Sequence, residues 1–189
     1  MSVPSVILNC DKCVHESSSR VLWGSYEYFI DDQTFHLNKQ LGWCNQCHDF
    51  SPIENLDPAY YLEQVRDIEV SINELQTRAI MLFLNPILRN KLAKKRQKLN
   101  KASKLLKAIQ LRQGMERCLK CSSIKVFKAE IDYTLEYSLN MGLYSGEKHT
   151  GFLHPSCGGE FIATPCPIRF NVKHIPRYYN LDGVNIACL

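Results

Sequence analysis

The sequence predicts an α+β chain in which two small β-rich units are joined by a two-helix hairpin of coiled-coil type. Three observations predict it. Close-spaced cysteine pairs gather toward the two ends of the 189-residue chain. Between them, apolar residues recur at steps of three and four, the rhythm of one helix face. Outside that middle, stretches of alternating apolar and polar residues have the period of half-buried strands. The expected units are residues 1–55, 56–114 and 115–189.

The first unit carries Cys10-Asp11-Lys12-Cys13 and Cys44-Asn45-Gln46-Cys47. The stretch "RVLWGSYEYFI" between them reads as strand, and Asp31-Asp32 as its turn. In the middle, Asp57-Pro58 is a helix start, with Asp as the cap and Pro at the first helical position. Tyr61, Val65, Ile68, Ile72, Leu75, Ala79 and Leu82 then form a heptad-type seam. Asn85-Pro86 interrupts it, because Pro has no N–H to donate. Leu88, Leu92, Leu99, Ala102, Leu106 and Ile109 repeat the rhythm, with Lys95 at one seam position and Gly114 as a stop. The break allows an antiparallel hairpin or one long kinked helix. An acidic first helix and a basic second one favour the hairpin.

The last unit carries Cys118-Leu119-Lys120-Cys121 and His154-Pro155-Ser156-Cys157. The stretch "IKVFKAEIDYTLEYSL" alternates at Ile131, Tyr133, Leu135 and Tyr137, and Ser145-Gly146 reads as a turn. In the tail, Ile168, Phe170 and Val172 alternate again. Thirty residues separate the two pairs of the first unit and 32 those of the second. The frames CxxC-x30-CxxC and CxxC-x32-HxxC suggest a weak internal duplication.

The pairs point to metal. The count of nine cysteines is odd, and six fall in pairs. The N-terminal segment reads neither as a signal peptide nor as the start of an exported disulfide framework. No apolar run approaches the length of a membrane span. The expectation is therefore a cytoplasmic chain with reduced thiols. A two-residue gap lets one tight turn offer two ligands to one ion, and two turns complete a tetrahedral site. Closing each frame on itself gives one site of Cys10, Cys13, Cys44 and Cys47, and a second of Cys118, Cys121, His154 and Cys157. Two structural Zn2+ ions are expected. The arrangement resembles zinc ribbons, in which two ligand turns carried on hairpins grip one zinc. The resemblance covers residues 8–50 and 116–162 and is one of architecture. Only "HPSCGG" has glycine after its last ligand; Val14, His48 and Ser122 stand at the matching positions.

His15, His48 and His149 also lie near ligand pairs. Seven residues separate His149 from Cys157, so His154 is preferred by spacing, with His149 as the alternative. Cys166 and Cys188 have no partner pair and read as buried or terminal residues.

Charge is uneven. Residues 1–56 hold 3 basic against 7 acidic residues (net −4), residues 57–112 hold 12 against 5 (net +7), and residues 113–189 hold 8 against 7 (net +1). Two loaded sites would lower the formal charge from +4 to about +1. From Arg78 to Arg112 there are eleven basic residues and no acidic one. Lys91, Lys94, Lys98 and Lys101 form a row at helical steps, either a solvated face or a surface for phosphates. Trp23, Tyr26, Tyr28, Phe29, Tyr133, Tyr137 and Tyr144 are candidates for base stacking or for the small cores beside each metal.

No P-loop, Gly-rich dinucleotide turn or nucleophile with an assigned base is present. The leading expectation is a non-catalytic zinc-binding protein, a protein-interaction or adaptor module. The alternative is a nucleic-acid-binding protein using the basic helix 88–112. A zinc hydrolase or nuclease ranks third, since it needs an open metal position.

Overall fold

The computed structural model describes residues 5–77, 85–131, 146–166 and 175–186. Several expectations concern other positions: Arg78, Ala79, Leu82, Tyr133, Leu135, Tyr137, Tyr144, Ser145, Ile168, Phe170, Val172 and Cys188 lie outside the described residues.

The chain divides into two compact units, each assembled from separate segments. The first comprises Met1–Ser25, Lys39–Glu54 and Arg117–Arg177; the second comprises Tyr26–Asn38, Asn55–Glu116 and Tyr178–Leu189. Among the described residues no helix is long and apolar enough to cross a membrane.

The first unit holds two sheets. One contains β1 (Val6–Cys10), β2 (Glu16–Ser18), β8 (Lys148–Leu153) and β9 (Glu160–Pro165), in the order β2-β1-β9-β8. The other contains β5 (Lys39–Cys44), β6 (Asp49–Glu54) and β7 (Val126–Lys128), in the order β6-β5-β7. Strand β1 (VILNC) alternates buried and half-buried residues, the period of a strand with one face in the core. Its inward side chains Val6, Leu8 and Cys10 join Leu41, Trp43, Phe50, Phe161 and Ala163 in one core. Aromatic rings fill the centre of that core: Phe50 meets Phe161 edge-on at 4.8 Å and Trp43 at 5.4 Å. Gly42 lets β5 lie between two partners. A Cβ there would sit 2.5 Å from Ile53 Cδ1 and 2.7 Å from the Phe127 carbonyl oxygen.

The second unit holds β3 (Tyr26–Ile30), β4 (Gln33–His36), β10 (Arg177–Tyr179) and β11 (Asn185–Ile186), in the order β11-β10-β3-β4. The turn at Asp31-Asp32 is real. Both residues have positive φ (44° and 66°), the left-handed pair that a two-residue hairpin needs to match strand twist. Helices α1 (Pro58–Gln76) and α2 (Pro86–Leu111) complete the unit and pack against each other. A single kinked rod could not make that contact, so the helices form a hairpin. The first begins as its cap predicts, and Asn85, expected only as part of the break, caps the second. The Asp57 carboxylate accepts from Ala59 N–H at 3.0 Å, and the Asn85 side chain accepts from Ile87 and Leu88 N–H. Tyr61, Val65, Ile72 and Leu75 of α1 are buried, as are Ala102, Leu105 and Ile109 of α2.

The expected fold class requires correction. The elements are α and β and the helices pair, but the strands do not sort into an N-terminal and a C-terminal β-rich unit joined by the hairpin. Strand β1 pairs with β9 over five positions, from Val6 opposite Pro165 to Cys10 opposite Phe161. Strand β5 pairs with β7, and β3 lies beside β10. Each sheet therefore draws strands from both sides of the helices. Of the stretches read as strand, Tyr26–Ile30 and Val126–Lys128 are strand, whereas Ser19–Leu22 is a 3-10 turn and most other strands carry no clear alternation in sequence. Alternation also carries no information about which strand is the neighbour.

Of the aromatic candidates, Tyr26 and Tyr28 are fully buried within the second unit, Tyr26 stacked on Tyr179 and Tyr28 tilted against Tyr61. They are core residues with no face free for a base.

Candidate metal centres

The four ligand pairs sit where strands end. Cys10 closes β1, Cys44 closes β5, His154 follows β8, and Cys118 forms an isolated bridge with Ile53 of β6. Strand pairing then decides which turns meet. Because β1 lies beside β9, the Cys10–Cys13 turn lies against the His154–Cys157 turn. Because β5 lies between β6 and β7, the Cys44–Cys47 turn faces Cys118 and Cys121.

Two clusters result: Cys10, Cys13, His154 and Cys157, and Cys44, Cys47, Cys118 and Cys121. Within each, the ligand atoms all lie within 4.8 Å of one another. The eight residues singled out from the sequence are the eight that cluster, but their grouping is exchanged. Cys10 and Cys13 do not share a centre with Cys44 and Cys47, nor Cys118 and Cys121 with His154 and Cys157.

The distances suit a tetrahedral ion. In the first centre Cys10 Sγ is 3.4 Å from Cys157 Sγ, Cys157 Sγ is 3.6 Å from Cys13 Sγ, and His154 Nδ1 is 3.3 Å from Cys13 Sγ and 3.2 Å from Cys157 Sγ. In the second, Cys44 is 3.5 Å from Cys121 and Cys47 is 3.8 Å from Cys118. Four sulfurs about 2.3 Å from a zinc would be about 3.8 Å apart, and a nitrogen would lie about 3.5 Å from each sulfur. These separations far exceed a disulfide bond of about 2.05 Å, and all six paired cysteines and Cys157 are free thiols.

The local chemistry also fits. Backbone N–H groups point at the sulfurs, Lys120 N–H to Cys118 and Gly159 N–H to Cys157, both at 3.4 Å. Such donors favour thiolate. At Cys10, burial pushes the thiol up, but N–H groups of the turn and the neighbouring thiols outweigh it and hold the group below its ordinary range. Burial and then the thiols of Cys121 and Cys118 push Cys47 up. The Gly159 N–H pulls Cys157 down, but desolvation and the thiols of Cys10 and Cys13 together outweigh it and leave the thiol high. Crowded thiols resist sharing negative charge, and a divalent cation removes that resistance. Burial, aided by the charge of His15, holds His154 below the ordinary histidine range. Its imidazole is thus neutral near pH 7, with a ring nitrogen able to bind metal.

Three of the four turns continue into left-handed backbone: Gly158 at φ 67°, His48 at φ 51° and Ser122 at φ 61°. Glycine is natural there, histidine is tolerated, and serine is strained by about 1 kcal/mol. Ser122→Gly is expected to raise the stability of the metal-loaded protein by up to about 1 kcal/mol, since relief of strain slightly exceeds the entropy glycine adds to the unfolded chain. Val14, in the fourth turn, lacks positive φ, so Val14→Gly is expected to give no gain. Thermal unfolding of the two variants side by side checks the contrast.

Several supporting residues were not legible in the sequence. Glu54 is fully buried, and its Oε2 accepts from Arg117 N–H at 3.0 Å while its own N–H donates to the Arg117 carbonyl at 2.9 Å. With the bond from Leu119 N–H to Pro52 O at 2.8 Å, this clips the Cys118 turn onto β6. His15 is no ligand. Its ring lies 4.9 Å from that of His154, its Nε2 is 3.4 Å from Asp49 Oδ1, and its carbonyl accepts from Cys10 N–H. Trp43, next in the chain to the ligand Cys44, sets its ring 5.2 Å from that of His154. His149 is exposed and pairs with Glu160 at 3.0 Å, outside both clusters. Cys166 is buried and accepts from Arg20 Nη2 at 3.0 Å.

No protein-family model, curated protein or solved structure matches this chain. What the two centres are must be read from their own donors. These are two clusters able to hold metal, one with four thiols and one with three thiols and an imidazole.

Proposed function

We propose that this chain is a non-catalytic zinc-binding protein with two structural Zn2+ ions, acting as an interaction or adaptor module for a protein partner. The observation that carries the reading is closure: each cluster presents four protein donors at tetrahedral spacing to one point. A hydrolytic zinc needs an open position for water, which a complete set of four leaves no room for. Thiolates and neutral imidazole together suit zinc better than the hard cations, which prefer oxygen. Free thiols in this number fit a reducing compartment such as the cytoplasm.

The role for the metal is to join distant parts of the chain. One ion would tie the first hairpin of the first unit to its last, and the other would tie β5 and β6 to the segment entering β7. Protein partnership is supported by apolar residues beside the ligand turns. Val14 and Leu153 flank ligands of the first centre, and Val14 is fully exposed while Leu153 is 60 % exposed.

Native mass spectrometry tests the metal reading. Two zincs per chain are expected, with a strong chelator removing both and shifting Trp43 fluorescence as the core opens. Cobalt substitution should give the absorption of tetrahedral thiolate sites at both centres. A metal-free native protein, or a centre whose cobalt spectrum shows bound water, would overturn the reading.

A further inference from the structure

Helix α2 carries nine lysines and arginines and no acidic residue. The four-membered row expected from the sequence does not survive intact. Lys101 is buried and its Nζ donates to the Asp31 carbonyl, and Lys104 lies 3.9 Å from the Asp31 carboxylate. These two residues hold the helix to its own unit. The first four turns are different. Arg89, Lys91, Lys94, Arg96 and Lys98 are all exposed. Among the described residues, no ion pair joins them to the acidic side chains of α1.

Their arrangement follows from about 100° of rotation per residue. Leu88, Leu92, Lys95 and Leu99 form a half-buried seam. Asn90, Ala93 and Gln97 fall on the side opposite that seam, and all three are exposed. Lys91, Lys94 and Lys98 line one flank of this row, and Arg89 and Arg96 line the other. The outward face is therefore a small, amide-bearing stripe between two cationic rows.

We infer that this face of α2 docks in the major groove of duplex DNA. That groove is about 12 Å wide and admits one helix. Its two phosphate walls match the two cationic rows, and the floor exposes base edges to whatever lies between them. Asn and Gln amides pair in two-point fashion with adenine, and the small Ala93 permits close approach. The deep, narrow major groove of RNA duplexes would not admit the helix. The inference does not depend on what fills the metal centres, since these residues and the ligands belong to different units.

The test uses the full-length, zinc-loaded chain and fluorescence anisotropy with labelled 20-base-pair DNA duplexes, the matching RNA duplex and single-stranded DNA. Duplex DNA should bind tightest. Five phosphate contacts predict a loss on the order of 500-fold between 50 and 200 mM salt. The triple variant K91E/K94E/K98E should lose more than about 100-fold in affinity and about three units of the salt slope. N90A/Q97A should keep salt-dependent binding but no longer enrich, from a randomised duplex pool, the sequence that the parent enriches. Unchanged helical circular dichroism and zinc content show that each variant is folded. The inference is overturned by absent duplex binding at 50 mM salt, or by charge reversal without effect. It is equally overturned by RNA or single strands binding as tightly as duplex DNA, or by N90A/Q97A enriching the parent's sequence.

Discussion

Replacing Cys13 with alanine should expose Cys10 and Cys157 to alkylation while Cys44, Cys47, Cys118 and Cys121 stay protected. Cys13 Sγ lies 3.3 Å from His154 Nδ1 and 3.6 Å from Cys157 Sγ, so its loss opens that centre and no other. A structural zinc is held with roughly 10–16 kcal/mol, so one ligand in four is worth about 3–4 kcal/mol. That corresponds to a loss of zinc affinity of about 10²–10³-fold at one centre. Alkylation followed by mass spectrometry reads each cysteine separately. The grouping suggested by the sequence frames makes the opposite prediction: Cys44 and Cys47 would label and Cys157 would not. One variant therefore decides between the two pairings.

Gly159→Ala should weaken the same centre by about 10–100-fold, and more than Gly158→Ala does. The glycine adjoining the last ligand, Gly158, is the one a ligand-turn pattern draws attention to. It has φ 67°, and a Cβ there would meet nothing within 4 Å, so alanine costs only backbone strain of about 1 kcal/mol. Gly159 has no unusual φ, but a Cβ would lie 2.5 Å from Cys10 Sγ, 2.5 Å from Asp11 Oδ1 and 2.9 Å from Lys12 Cβ. The two ligand turns are pressed together at this point. His154 N–H donates to the Gly159 carbonyl at 2.6 Å, and Glu160 N–H donates to Asp11 Oδ1 at 2.8 Å. An added methyl must push the turns apart, and overpacking of this kind costs about 1–3 kcal/mol. Zinc competition with a chromophoric chelator measures both variants. A Gly158→Ala effect equal to or above that of Gly159→Ala would show that the turns do not touch as described.

By itself the sequence determined the helices, one turn and the ligand residues, but few of the strands. The cap at Asp57 acts within three residues, so the first helix start could be read, and Asn85-Pro86 marked the break before the second. The Asp31-Asp32 turn is equally local. The ligand residues could be read because a two-residue gap between donors is a property of one turn. Lys101 was misread for the converse reason: its helical position is local, but its burial against Asp31 is not.

Only the tertiary structure decided which parts meet. The sequence frames favour closure over 30 and 32 residues, whereas the centres close over the 140 residues between Cys13 and His154 and the 70 between Cys47 and Cys118. Loop-closure entropy barely opposes this exchange. Lengthening a loop from 30 to 140 residues costs about 1.4 kcal/mol, and from 32 to 70 about 0.7 kcal/mol. Strand pairing easily exceeds that difference. Five β1–β9 positions and the shared core of Leu8, Phe161 and Ala163 hold Cys10 beside Cys157, and β5 between β6 and β7 holds Cys44 beside Cys121. Donor spacing is written in the chain, but the choice of partner is made by sheets whose neighbours no local pattern names.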